Sequence, residues 1–170
     1  VGGADKAFFQ EGVSANLDTQ GMNTTIDQPN GGAVYFDGAA DYINLAPSFY
    51  NLDIEEEFTL MMWVKPSDLS AAVYPSGAGS LHFFRIDTTS GVSLRLEGTD
   101  NAFTGLDTIN ANAWTHIAFT RNSASLITVY INGSAQTDTE TTADKHLAIR
   151  WLGTHTGSSN FYKGFIDEFM

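Results

Sequence analysis

The stretch WTHIAFTRNSASLITVYINGS, residues 114–134, decides the fold class. Its first seven residues and its last eight are apolar-rich runs of strand length, joined by a short polar gap. In the second run Ile127, Val129 and Ile131 fall on one face, and Leu126, Thr128 and Tyr130 on the other. That is the period-two pattern of a β-strand. In the first run Ile117 and Phe119 share a face while His116 and Ala118 share the other. Both faces are mostly apolar, so this strand is expected to be central and covered on both sides. Asn132-Gly133 suits a tight hairpin turn with positive φ at both positions.

Working outward, the same signature recurs. AVYFD (33–37), YINL (42–45), FTLMMWVK (58–65), LHFFRI (81–86), VSLRLE (92–97), HLAIRWLG (146–153) and KGFIDEF (163–169) are short β-branched or aromatic runs bounded by Gly, Asn, Asp, Ser or Pro. Regular spacing of such runs predicts an all-β chain, a two-sheet antiparallel β-sandwich. Trp63 and Trp114 are expected to supply large buried areas to its core. The lone helical candidate is a single turn over residues 47–52. Ser14 to Asn30 and residues 66–80 read as loop.

Composition limits the partners. The 170 residues suit one domain. Twenty acidic against eight basic residues give a net charge of −12. Nucleic acid and anionic membrane surfaces are therefore not expected as partners, because phosphate neutralisation needs clustered Lys and Arg. A divalent cation remains open, since Ca²⁺ takes hard oxygen ligands. Solubility alone would also explain the acidity. The absence of cysteine rules out disulfides, thiolate zinc sites and a Cys nucleophile. No basic segment followed by an apolar run opens these residues, so no signal peptide is expected in them, and no apolar run is long enough to span a membrane. The abrupt end at Met170 suggests a domain cut from a longer chain with neighbouring domains.

Five stretches occur in an order that resembles a known family: AVYFDGAADYINL (33–45), EEFTLMMWVKP (56–66), WTHIAFT (114–120), ITVYINGS (127–134) and YKGFIDEF (162–169). Together they resemble the laminin-G-like branch of the concanavalin A-like lectin/glucanase superfamily, in the form common in large bacterial surface proteins. The resemblance implies a jelly roll over residues 31–170, with residues 1–30 as an extension or as a first strand plus loop. It implies an extracellular or cell-surface setting and a glycan or other surface ligand.

Candidate sites follow, each with a plainer alternative. The resemblance implies structural Ca²⁺ at Asp167, the aspartate of the closing motif. Asp37 and Asp41 bracket a Gly-containing turn and are candidate co-ligands; Asx hydrogen bonds within the turn are the alternative. For a ligand, Trp151 is paired with His155, Asn160 and Tyr162 on the following loop. Capping of the core edge by Trp151 and Tyr162 is the alternative. A second patch combines Tyr74, His82 and Arg85. Catalysis is not expected. Only Asp53, Glu55 and Glu57 have the i, i+2, i+4 spacing that glycan-cleaving carboxylates need on a strand, and a solvated loop explains them better. No G-x-S-x-G elbow and no H-E-x-x-H pair occurs. His116 is expected as a packed core histidine. Asn23-Thr24-Thr25 and Asn132-Gly133-Ser134 match the glycosylation sequon, which matters only in a eukaryotic secretory host. The expected function is non-catalytic recognition; a glycoside hydrolase or a passive adhesion-array domain are the alternatives.

Overall fold

A computed structural model describes residues 14–16, 32–45, 50–52, 57–89, 91–142 and 145–170. The strands are β1 (Ser14–Asn16), β2 (Val34–Asp37), β3 (Tyr42–Asn44), β4 (Tyr50–Leu52), β5 (Phe58–Pro66), β6 (Val73–Gly77), β7 (Phe83–Thr88) and β8 (Gly91–Leu96). They continue with β9 (Thr99–Thr104), β10 (Thr115–Arg121), β11 (Leu126–Ile131), β12 (Ser134–Thr141), β13 (Leu147–Ile149), β14 (Trp151–Leu152) and β15 (Lys163–Asp167). Among the described residues there is no helix. One sheet runs β1-β3-β14-β6-β7-β8-β9 and the other β12-β11-β10-β5-β15-β2; β13 and β4 form a separate pair. Every pairing is antiparallel. This is the two-sheet sandwich that the period-two runs predict.

The 114–134 stretch forms β10, the turn and β11. Ile131 pairs with Ser134 across Asn132 (φ 50°) and Gly133 (φ 83°), the doubly positive turn expected there. β10 is central, between β5 and β11. Its Ile117 and Phe119 enter the core, where Phe119 meets Phe84 of the opposite sheet edge-on at 5.2 Å. Met62 and Val64 from β5 and Ile86, Leu94 and Phe103 from the facing sheet complete this layer. The sheets are also tied at one side, where Thr104 N donates to Asp138 and Asp107 N to Gln136.

Several expectations are corrected. Trp63 and Trp114 are half-buried on the outer face, not core residues. With Met62 and Val64 inward, period two forces Trp63 outward, where its ring lies 5.3 Å from His116. His116 is thus on the outer face also, half-buried against that ring. Residues 73–77, read as loop, are β6; Pro75 and Gly77 masked a strand that carries a register shift between Val73 and Ser76. Ser14–Asn16, read as loop, pairs with β3. Tyr50–Leu52, read as the end of a helical turn, is a strand paired with β13. The rest of that turn, and Asp53 and Glu55, lie outside the described residues, whereas Glu57 is exposed at the start of β5.

Candidate functional site

Register on the seven-stranded sheet lines up Asn44, Trp151, Gly77, Phe83, Arg95 and Asp100 in one row, each opposite the next. Their chain neighbours Ile43, Leu152, Phe84 and Leu94 are core, so the row lies on the outer face. Five interstrand steps make it about 24 Å long.

The loop after β14 crosses this row. At Gly77 there is no side chain, and a Cβ there would lie 2.7 Å from the Cα and Cβ of His155. Glycine thus admits the loop onto the sheet, and Gly79 N donates to His155 O at 2.6 Å. Thr154 fixes the bend. Its hydroxyl donates to Ser159 O at 2.6 Å and accepts the N–H groups of Thr156 and Gly157, each at 3.3 Å. His155 is held with its ring 4.6 Å from Tyr74 and 5.5 Å from Phe83, and Asn160 Nδ2 lies 3.3 Å from its Nδ1. Burial, and then the charge of Arg95, push the His155 imidazole below its ordinary pKa. On the far side of this ridge the Arg150 guanidinium lies 4.7 Å from the Trp151 ring centre, and Gly157 abuts the indole edge.

Beside the ridge a charged lattice covers Phe83. Arg85 Nε is bonded to Asp87, and Arg95 Nη1 to Asp100 at 3.0 Å; Arg85 Nη2 stands 4.0 Å from the other Asp100 oxygen. Both guanidinium groups lie 5.4 Å from the centre of the Phe83 ring, and Arg85 also lies over Tyr74. Buried Ser93 donates to Asp87 Oδ2 at 2.5 Å, so its hydroxyl is a brace; no histidine bonds it as a nucleophile would require. Two polar atoms on this face are buried without a hydrogen bond: Asn44 Oδ1 and Arg95 Nε.

Four of the five predicted ligand residues, Trp151, His155, Asn160 and Arg85, therefore share one face. Tyr162 does not. It is fully buried, edge-on to Phe36 at 6.2 Å, and its hydroxyl donates to Phe165 O at 3.2 Å. By Tyr162 the loop has turned back into the sandwich, closed by Tyr162 N to Gly153 O at 2.7 Å. In the second predicted patch Tyr74 and Arg85 meet, but His82 packs on His146 at 4.6 Å instead. Phe83, Asp87, Arg95 and Asp100 were missed. Their signal was phase: Arg85-x-Asp87 and Ser93-x-Arg95 alternate with core residues and so share the outer face.

The three predicted calcium ligands do not form one shell. Asp37 Oδ1 accepts Ala39 N at 2.6 Å, and Asp41 Oδ2 accepts Asp37 N at 2.9 Å, so both carboxylates hold the turn. Asp37 pairs opposite Lys163 at one end of β15, and Asp167 lies four residues away, about 13 Å along the strand. Among the described residues no three His, Asp or Glu side chains are disposed to hold a metal. Asp167 has a buried oxygen that no hydrogen bond satisfies. Its Oδ1 accepts Glu168 N, while its Oδ2 is buried without a partner, and burial raises its pKa.

Solved structures with the same fold include domain 4 of AbnA, an extracellular arabinanase from Geobacillus stearothermophilus, in complex with arabinotriose. It is 24% identical, with a TM-score of 0.64, over 92% of this chain and 79% of that one. A heptameric SAP-like pentraxin from Limulus polyphemus is 14% identical, with a TM-score of 0.60, over 81% and 74%. The binding domain of botulinum neurotoxin serotype D is 17% identical, with a TM-score of 0.62, over 92% of this chain but 42% of that chain. Among curated protein sequences none matches this chain. A laminin G-type family model, described as the concanavalin A-like lectin/glucanases superfamily, matches residues 19–170, and the chain belongs to that family.

Proposed function

We propose that this domain is a non-catalytic glycan-binding module of an extracellular or cell-surface protein. The observation that carries this reading is the assembly on the outer face of the seven-stranded sheet. There Trp151, Tyr74 and His155 stand beside Arg85, Asp87, Arg95, Asp100 and Asn160. Rings offer flat apolar area to the C–H face of a sugar, and paired charges offer donors and acceptors to its hydroxyls. The binding of arabinotriose by the AbnA domain supports a sugar ligand by analogy of fold. Cleavage is disfavoured because the carboxylates beside Phe83, those of Asp87 and Asp100, are both tied to guanidinium groups. A glycan array read with calcium and with chelator tests the proposal. Expected are hits that disappear in Trp151→Ala, with no reducing sugar released from them. A blank array, or turnover of a hit, would sink it.

A second reading concerns calcium. The lone buried oxygen of Asp167 supports a structural ion held by that carboxylate, with main-chain carbonyls and water completing the six to eight oxygens that calcium takes. Asp37 and Asp41 have no part in it.

A further inference from the structure

We propose that the ligand of this face is an uncharged glycan, and that acidic sugars are refused; this rests on the glycan-binding reading above. The face carries cations, which at first sight invite an anion. Around Phe83, away from the Arg150 guanidinium at Trp151, their bonding says otherwise. Asp87, Arg85, Asp100 and Arg95 form a line of alternating sign whose charges sum to zero. Ser93 braces its first member through Asp87 Oδ2 and also accepts from Arg85 Nη2 at 3.3 Å. Phe83 lies under both guanidinium groups and Tyr74 under one, so neither cation can swing out without losing its ring.

A carboxylate or sulfate entering here would either displace Asp87 or Asp100 from its arginine or settle beside it. Either way an aspartate stands next to the incoming anion, in a chain that already carries −12. Like charges brought together in a partly desolvated site repel each other strongly. A hydroxyl displaces nothing. It donates to a free lone pair of either carboxylate and accepts from a guanidinium N–H, so two adjacent hydroxyls match one Asp–Arg pair.

The experiment compares sugars of one skeleton. Galactotriose and trigalacturonate, arabinotriose, and a sulfated galactan oligosaccharide are titrated calorimetrically into the 170-residue protein at low and physiological salt. At least one neutral sugar is expected to bind, about tenfold or more tighter than the acidic ones. The gap should narrow as salt rises. Asp100→Asn should weaken the neutral sugar and strengthen the acidic one; Asp87→Asn repeats the test should the first variant fail to fold. Binding of trigalacturonate or the sulfated sugar as tightly as any neutral one overturns this inference and leaves glycan binding standing. Silence towards every sugar overturns both.

Discussion

Gly77 and His155 are in backbone contact: a methyl group on Gly77 would stand 2.7 Å from both the Cα and the Cβ of His155. The sheet surface and the loop that crosses it are therefore fitted through a missing side chain. The obstacle is backbone on one side and a ring wedged between Tyr74 and Phe83 on the other, so it cannot step aside.

Gly77→Ala should accordingly lift the 153–160 ridge. The expected cost is about 1–3 kcal/mol of stability, as for other overpacked contacts. Sugar binding should fall more steeply than stability, because His155 and Asn160 move together. Thermal melts and calorimetric titration of the same variant check this; unchanged affinity would show that the ridge is not part of the site.

Tyr162 separates core from site. Its hydroxyl is fully buried and bonded to Phe165 O. Tyr162→Phe should cost about 1 kcal/mol in denaturant unfolding and leave affinity unchanged. A loss of affinity without loss of stability would return Tyr162 to the ligand face.

The contrast between Tyr162 and Trp151 shows how far sequence carries. Alternation in β10, β11, β7 and β8 sets which residues are core, because a strand that buries one face must repeat every two residues. It fails where the strand is polar throughout, as in β12, or where turn residues sit inside it, as Pro75 and Gly77 do in β6. The candidate site was half legible. Trp151, His155, Asn160 and Arg85 lie near the loops or strand that a local reading names. The Arg95–Asp100 pair needs the β8–β9 register, and the His155–Tyr74 contact needs the loop folded over Gly77. Phase along a strand is local, whereas register and loop trajectory are tertiary. The same limit misjudged Asp37, which is separated from Asp167 by the length of β15.

Stability should depend on pH through two histidines. Burial lowers the pKa of His82, assisted by His146 and opposed by Glu97, and burial with Arg95 lowers that of His155, each from an ordinary 6.5. Above that value both folded and unfolded chains are neutral at these positions, and the stability is complete. As pH falls below it, the unfolded chain binds protons that the folded one refuses, so stability drops until the folded pKa values are passed. The urea midpoint should be lower at about pH 5.5 than at about pH 7.5. His82→Gln and His155→Gln should each flatten that slope, and a slope that survives both would assign it elsewhere.

Asp167 has the opposite sign. Its raised pKa means that stability is full below its ordinary value of 3.8 and is lost as pH rises through the folded value, because the ionised form is buried. In chelator at neutral pH, Asp167→Asn should therefore melt no lower than the parent. Calcium should raise the melting temperature of the parent and leave the variant unmoved. A parent indifferent to calcium, or a variant that responds in full, would remove the ion from Asp167.

Thr154 provides the sharpest separation of position from contact. It is fully buried beneath the ridge, so it cannot reach a ligand. Its hydroxyl nevertheless holds the bend through three hydrogen bonds, to Ser159 O and from Thr156 and Gly157. Thr154→Val keeps the shape and removes all three bonds, for a cost of about 1–3 kcal/mol from the groups left unpaired. Much of that penalty should appear in the loop, because the backbone of 156–159 can turn to solvent while the sheet beneath stays paired. Affinity for a neutral sugar should then drop by about tenfold, while Thr154→Ser, which keeps the oxygen, should bind like the parent. If Val and Ser behave alike, the bend is set by the chain and not by this hydroxyl.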